Sequence, residues 1–496
     1  MEKALYGSRA AIAAPATPMN DAALATIRSS GSESEEGESA VKLLAGVFSR
    51  PGKLLSSPGN TIVHGWLIDP VSGKKVDEVL VSVFRSPHSY TGEDAVDISC
   101  HGSMATVKAV MGVLKKAGFR EALPGEFTFR AFMNSKMDLT LAEAVMELVA
   151  AKTQGARDRV LRRLSGLLEK EILEIKALLT EVLASTEIYL DYSEDEFTGS
   201  NDDEESGRLP GRVKAMEAEG RLKALAELWR RERIYMEGAL AVLAGRPNAG
   251  KSSLFNIILK EDRSIVTSVP GTTRDWIEAQ LSLDDIPIRL VDTAGLRTLP
   301  EMGNERTSYG ESSLPGEAEQ AGIKRSYELL ERADLVFYVV DGTEGITLQD
   351  RDFLARHEKD PKPLIVLWNK SDQSPLPSSF ELNLPYSLLS VSAKTGEGIP
   401  ALLSMASALL VSSSGLDSSL PDDTCATGPG TLRQKDLVDK ALNAITEVLS
   451  LAEEEEALDL IAPLLRSAVN ALGEISGEVT HDDILELMFS RFCVGK

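Results

Sequence analysis

The chain is poor in cysteine, in basic charge and in long apolar runs, and each shortage excludes something. Its three cysteines, Cys100, Cys425 and Cys493, include no C-x-x-C pair, which excludes a disulfide framework or a cysteine-rich metal site and points to a reducing, cytoplasmic setting. Lys plus Arg number 53 against 76 Asp plus Glu, a net charge of −23. That balance argues against tight autonomous binding of nucleic acid by bulk charge, so any such role requires a local basic patch or a basic partner. The longest uncharged run, Gly398 to Leu416, is broken by Pro400 and five serines, and its apolar part, Ala401 to Val411, has the length of a core helix rather than a membrane span. Near the N-terminus Arg9 interrupts an Ala-rich stretch and no apolar export segment follows, so no export signal is expected. No internal repeat is visible.

What is present suffices for several packed cores: 43% of the 496 residues are hydrophobic and 26% charged, and a prior of roughly 150 residues per domain suggests about three domains. Residues 1–125 mix short β-rich runs such as Glu78 to Phe84 with Gly/Pro/Ser turns and read as an α+β module. Residues 126–238 switch to helical periodicity, with Leu141, Ala144, Val145 and Leu148, then Leu161, Leu164, Leu167 and Leu168, at three- and four-residue spacing. The acidic run Ser193 to Ser206 reads as a solvated loop. Residues 239–411 alternate apolar β runs (Ala239 to Ala244, Ile288 to Val291, Leu335 to Val340, Leu364 to Trp368) with helices, the pattern of a mostly parallel α/β sheet. Ser412 to Gly430 reads as a linker, and residues 412–496 end in amphipathic helix from Gln434 to Phe492. The α/β domain is therefore expected as an insertion into a helical domain built from both flanks.

Gly245-Arg-Pro-Asn-Ala-Gly-Lys251-Ser252 matches G-x-x-x-x-G-K-[ST] between a β run and a helix. In a phosphate loop of this kind the N–H groups of Asn248, Ala249, Gly250, Ser252 and Ser253 surround the phosphates, Lys251 neutralises β/γ oxygens, and the Ser252 hydroxyl ligates Mg²⁺. Asp292-Thr293-Ala294-Gly295 ends another β run; Asp292 reaches Mg²⁺ through water and Gly295 offers its N–H to a γ-phosphate. Asn369-Lys370-Ser-Asp372 places a carboxylate to accept from the N1–H and exocyclic amine of guanine, and Ser392-Ala393-Lys394 supplies an N–H for guanine O6. Together these motifs specify GTP over ATP. Gly271-Thr272-Thr273-Arg-Asp275 stands where a switch loop supplies a threonine to Mg²⁺, and Thr273 is the candidate. Leu296 occupies the position after Gly295 where Ras-like proteins carry a water-orienting Gln, so hydrolysis is arranged differently here.

Nearly the whole chain resembles the MnmE (TrmE) tRNA-modification GTPase family. The matching segments include Thr91-Gly-Glu-Asp94, His101-Gly102, Pro124-Gly-Glu-Phe127, Arg130-Ala-Phe132, Gly245 to Ser253, Gly271 to Asp275, Asp292 to Arg297 and Phe492-Cys-Val-Gly-Lys496. The resemblance implies a folate-binding-like α+β module, a discontinuous helical domain and an inserted Ras-like P-loop domain. It also implies a potassium-activated GTPase whose G domains dimerise across their nucleotides and that works with an FAD-carrying MnmG-type partner to modify C5 of the wobble uridine of certain tRNAs. On that resemblance Asn248, Thr267, Val269 and Thr272 correspond to the potassium cage, and Glu319 to the carboxylate that orients the attacking water. Arg28, Asp97, Lys136 and Lys496 correspond to contacts with a tetrahydrofolate derivative. Thr298 to Gly316 is a longer segment than usual, the stretch from Thr17 to Leu24 lacks the family's Gly/Arg-rich composition, and Asp97 stands where Glu is usual. Cys493 is either a nucleophile or acid near the tRNA and folate, or a small buried apolar residue. Two other functions share the G motifs: a ribosome-assembly GTPase, for which no basic RNA-binding domain is found, and a GTP-switched scaffold without folate chemistry.

Overall fold

The computed structural model describes residues 6, 9–33, 38–191, 209–261, 277–292, 328–358, 362–377, 386–413, 427–454, 457–479, 485, 488–490 and 492–495. The chain divides into two compact units, one formed by residues 1–149, 166–219 and 436–496, the other by residues 150–165 and 220–435.

The first unit holds a six-stranded sheet of β1 (Ile12–Pro15), β2 (Leu24–Ser30), β3 (Thr61–Ile68), β4 (Lys75–Phe84), β5 (Ala95–His101) and the short β6 (Arg120–Glu121), in the order β3-β4-β5-β2-β1-β6. All pairings are antiparallel except that of β1 with β6. Alternation along β4, with Val79, Val81 and Val83 buried between more exposed neighbours, gives the sheet one core face, and the helix Met104–Lys116 covers it with Val107, Val110, Val113 and Leu114.

Beside the sheet lies a buried ionic cluster. Glu126, fully buried, accepts from Arg120 through both carboxylate oxygens at 2.6 and 2.9 Å, from Arg130 at 2.9 Å and from the Leu123 N–H at 2.9 Å. Arg130 also donates to Glu93 at 3.0 Å and to the Ala10 carbonyl at 2.7 Å, while the Ser30 hydroxyl donates to Glu93 at 2.7 Å. Hydrogen bonds to both Glu126 oxygens and from both Arg130 terminal nitrogens make such burial tolerable, although the buried Nε of Arg120 has no partner among the described residues. At the end of β5 the exposed ring of His101 is tethered by Asp77, which lies 2.7 Å from its Nδ1 and also accepts from its backbone N–H.

Segments far apart in sequence meet in this unit. Helices Leu167–Asp191 and Leu458–Ser476 pack together, joined by the ion pairs Lys176–Glu478 and Arg466–Glu187. The C-terminal segment docks through Phe489 and Phe492 against Leu139 and Ala142, with Phe129 edge-on to Phe489 at 5.4 Å. Gly495, at φ +94°, lies so close to β1 that a Cβ there would stand 2.4 Å from the Pro15 carbonyl oxygen, which restricts the position to glycine.

The second unit is built on β7 (Ala239–Gly245), β8 (Ile277–Leu283), β9 (Ile286–Asp292), β10 (Leu335–Asp341), β11 (Leu364–Asn369) and β12 (Ser387–Ser390), in the order β12-β11-β10-β7-β9-β8, with only β8 antiparallel to its neighbour. Strands β7, β10 and β11 are buried at every position, which requires cover on both faces. On one face Leu243, Phe337 and Ile365 meet Leu254 of helix Lys251–Glu261 and Leu402 and Ala406 of helix Ile399–Ser413. On the other, Tyr338 and Val366 meet Leu354 of helix Leu348–His357.

The ionic cluster yields a stability prediction. Glu126→Ala strands Arg130 and Arg120 and lowers the unfolding free energy of the first unit by about 3–5 kcal/mol, whereas breaking the exposed Arg466–Glu187 pair costs less than about 1 kcal/mol. Urea titration followed by circular dichroism checks both.

Candidate nucleotide site

In a doubly wound sheet, ligands bind beyond the carboxyl ends of the strands. Here those ends carry the phosphate loop after β7, Asp292 at the end of β9, Asp341 at the end of β10 and Asn369 at the end of β11. The loop turns with Asn248 at φ +63° and Gly250 at φ +95°. Gly250 has no room for a side chain: a Cβ would lie 2.2 Å from the Asn369 amide nitrogen. The same amide donates to the Ala249 carbonyl at 2.8 Å, and its oxygen accepts from the Ala393 N–H at 3.1 Å. Asn369, 1% exposed, therefore ties together the phosphate loop, the β11 end and the Ser392–Lys394 turn.

Lys251, at the start of its helix, folds its ammonium back onto the Gly245 and Arg246 carbonyls at 2.9 and 2.8 Å. Burial lowers its pKa, and the nearby Asp292 works in the opposite direction. The Ser252 hydroxyl donates to Asp292 Oδ2 at 2.6 Å, while the buried Oδ1 of Asp292 has no hydrogen-bond partner among the described residues. A hydroxyl and a buried carboxylate oxygen lacking a partner form an oxygen donor set that fits a hard divalent cation such as Mg²⁺. At the base-reading end Asp372 accepts from the Ser392 hydroxyl through Oδ1 at 2.8 Å, so its other oxygen is available to a base. Ser392 Oγ also accepts from the Lys394 N–H at 3.3 Å and closes the turn. Lys370, at φ +64°, donates to Asp341 at 2.5 Å; although burial opposes it, this bond and those from Thr343 hold the Asp341 carboxyl below its ordinary range.

Several residues of this site carried no signal in the motifs. Arg246 reaches from the phosphate loop to Glu344 at 2.8 Å and to Asp350 at 3.3 Å. Asp350 is fully buried, caps helix Leu348–His357 with Thr347 and accepts from the Tyr338 hydroxyl at 2.9 Å. Burial, reinforced by Asp350, raises the Tyr338 pKa. The T-x-x-D capping pattern at Thr347 to Asp350 was the one local clue to this anchor, and the close of the apolar run at Asp341 the clue to the Lys370 partner.

Sequence-derived candidates Thr267, Val269, Thr272, Thr273, Thr293, Ala294, Gly295, Glu319 and Lys496 lie outside the described residues, as do Cys425, the acidic run at Ser193 to Ser206 and the segment Thr298 to Gly316. Ser253 is exposed on the first turn of its helix. In the first unit, the β2–β5 register sets Arg28 opposite Asp97, with Arg28 Nε 3.3 Å from Asp97 Oδ1 and its guanidinium over the Tyr90 ring at 5.6 Å. These three residues line a cavity of about 80 Å³ with Phe84 and Phe127. Lys136 stands apart from that wall and donates to the Pro87 carbonyl at 3.0 Å. Cys493 is exposed, its carbonyl accepting from the Gly125 N–H at 3.3 Å, and Cys100 is the buried thiol, pushed up to about 11 by burial. The alternative of Cys493 as a buried apolar residue is thereby removed.

A carboxylate such as that of Asp372 pairs with the N1–H and exocyclic amine of guanine, whereas adenine has an acceptor at N1. With the phosphate loop seated at the carboxyl ends of a mostly parallel sheet, the second unit belongs to the P-loop GTPases.

Comparison with known proteins extends this to the rest of the chain. Residues 11–136 match the family described as the GTP-binding protein TrmE N-terminus, and residues 139–493 match the MnmE helical domain. The tRNA modification GTPase MnmE of Treponema denticola is 41% identical, covering 98% of both chains. That of Borreliella burgdorferi is 38% identical with the same coverage of both. Among solved structures, the G domain of the T. maritima FeoB iron transporter is 27% identical over 35% of this chain and 98% of its own, with a TM-score of 0.25. The chain belongs to the MnmE family of tRNA modification GTPases.

Two outcomes follow for the nucleotide site. Phosphate beside Lys251 restores its charged form, so GDP binding takes up a proton at alkaline pH; the uptake grows as pH rises through the lowered pKa and vanishes in Lys251→Met, as read by calorimetry in buffers of different ionisation enthalpy. Arg246→Ala frees the loop from Asp350 and Glu344 and weakens GDP about tenfold, measured by fluorescence of a labelled nucleotide.

Proposed function

We propose that this chain is a potassium-activated GTPase acting in the cytoplasm. With an FAD-carrying MnmG-type flavoprotein, it forms the 5-carboxymethylaminomethyl or aminomethyl group on the wobble uridine of certain tRNAs. The observation that carries the reading is the intact guanine and phosphate constellation in a chain that matches tRNA modification GTPases from end to end. Residues 1–125 form the folate-binding and dimerisation domain, residues 126–238 and 412–496 the helical domain, and residues 239–411 the G domain.

In the cycle, Lys251 and the loop amides hold the β- and γ-phosphates, Ser252 and Thr273 ligate Mg²⁺, and Asp372 selects guanine. Glu319 orients the attacking water. Asn248, exposed at the tip of the loop, joins Thr267, Val269 and Thr272 in holding K⁺, which supplies the charge neutralisation that an arginine finger supplies elsewhere. Closure of the G domains of a homodimer on GTP, and reopening after phosphate leaves, passes the hydrolysis energy to the modification site. There Arg28, Asp97, Lys136 and Lys496 bind a tetrahydrofolate derivative that supplies the one-carbon unit, with the exposed Cys493 nearby.

Nucleoside mass spectrometry of tRNA from cells lacking the gene tests the function. The 5-substituted wobble uridine disappears and returns with wild type but not with Lys251→Ala. Unchanged tRNA with accumulating ribosomal precursors would instead favour ribosome assembly. For the cation, hydrolysis is faster in K⁺ than in Na⁺, and Asn248→Ala removes that difference while retaining the Na⁺ rate.

A further inference from the structure

The cavity of about 370 Å³ between helix Met104–Lys116, the β1 and β6 edges and the C-terminal tail has no part in the assignments above. Its volume falls within the ~300–1,000 Å³ range of small-ligand sites. Met19, Met111, Pro15 and Val494 form apolar walls, and Lys108, Lys115 and Glu121 carry its charge. The helix has three lysines and no acidic residue, in a chain of net charge −23. Lys116 is engaged by Asp69, whereas the exposed ammonium groups of Lys108 and Lys115 make no hydrogen bond or ion pair among the described residues. Seven residues apart, they lie about 10 Å from one another along one face, with Met111 and Gly112 between them.

We propose that this cavity receives a nucleotide of the RNA substrate, its base between Met19 and Met111 and its flanking phosphates on Lys108 and Lys115. The proposal rests on the tRNA-modification reading and deepens it. Thioethers make favourable contacts with planar aromatic rings, and two unpaired lysines at opposite ends of one apolar slot suit successive phosphodiesters along a single strand. For a uracil, Glu121 offers an acceptor to N3–H, the one donor between two carbonyl acceptors. An entirely apolar occupant would leave all three charges uncompensated. Val494 joins the cavity wall to the exposed thiol of its neighbour Cys493, so a base seated here is adjacent to the tail.

Gly112 provides a test that spares the charges, because a Cβ there meets nothing within 4 Å and a longer residue suits the helix better than glycine. Full-length Gly112→Leu and Lys108→Ala/Lys115→Ala are each expected to bind a labelled anticodon stem-loop RNA at least tenfold more weakly than wild type, with GTP hydrolysis and thermal midpoint unchanged. The lysine variant also lowers the slope of log affinity against log salt by about 2, and Gly112→Leu leaves that slope intact. Wild-type affinity in either variant overturns the proposal. The same variants in cells lacking the gene separate it from the reading it rests on. If wild type and both variants all restore the modified uridine, the cavity assignment falls and the tRNA function stands. If wild type restores nothing while RNA affinity still depends on these positions, the function falls and the cavity stands.

Discussion

The nucleotide site depends on one buried amide. Asn369 donates to the Ala249 carbonyl and accepts from the Ala393 N–H, so the loop that takes phosphates and the turn that reads the base are held at one separation before any ligand arrives. A buried side-chain amide is costly unless both ends are paired, and the two loops supply those partners. The glycine at position 250 is what lets the loop pass over it. A second anchor, Arg246 to Asp350 and Glu344, secures the front of the loop to the helix after β10. Between the two anchors the loop carbonyls of Gly245 and Arg246 hold the Lys251 ammonium, a cation whose desolvation is relieved when phosphate replaces carbonyl.

The first unit answers a different physical demand. Its motif residues at Glu93, Glu126 and Arg130 are not displayed to a ligand; they form a closed ionic cluster beside the sheet. Open to ligands are the Arg28–Asp97–Tyr90 cavity and the larger slot beside the tail, with Cys493 exposed on the segment that lines the latter.

Much of this was legible because it is local. The strands at Ala239 to Gly245, Leu335 to Asp341 and Leu364 to Asn369 are uninterrupted apolar runs, and their motifs sit at the strand ends where the alternation of apolar run and helix puts them. The antiparallel β8 at the edge of the sheet, the β2–β5 register that opposes Arg28 and Asp97, and the Arg246–Asp350 contact were not legible. The last two join residues about 70 and 100 positions apart, and nothing in the neighbourhood of either residue encodes its partner. Strand β8 pairs locally with β9 through a tight turn at Asp284–Asp285, but its alternating Ile277–Leu283 run does not announce an edge strand of a parallel sheet. Cys493 was ambiguous for a related reason: the apolar spacing of Leu485, Phe489 and Phe492 marks a docking face without revealing on which side of the final turn the thiol emerges.

In the proposed function the carboxylate of Asp372, held by Ser392 and by the turn that Asn369 secures, selects the base. Binding of GTP and xanthosine triphosphate to wild type and to Asp372→Asn measures this directly. Exchanging the acceptor for an amide donor should turn a preference for GTP of at least ~100-fold into a preference for xanthosine triphosphate, whose C2 carbonyl is an acceptor. An Asp372→Asn protein that keeps the wild-type preference for GTP would contradict the account.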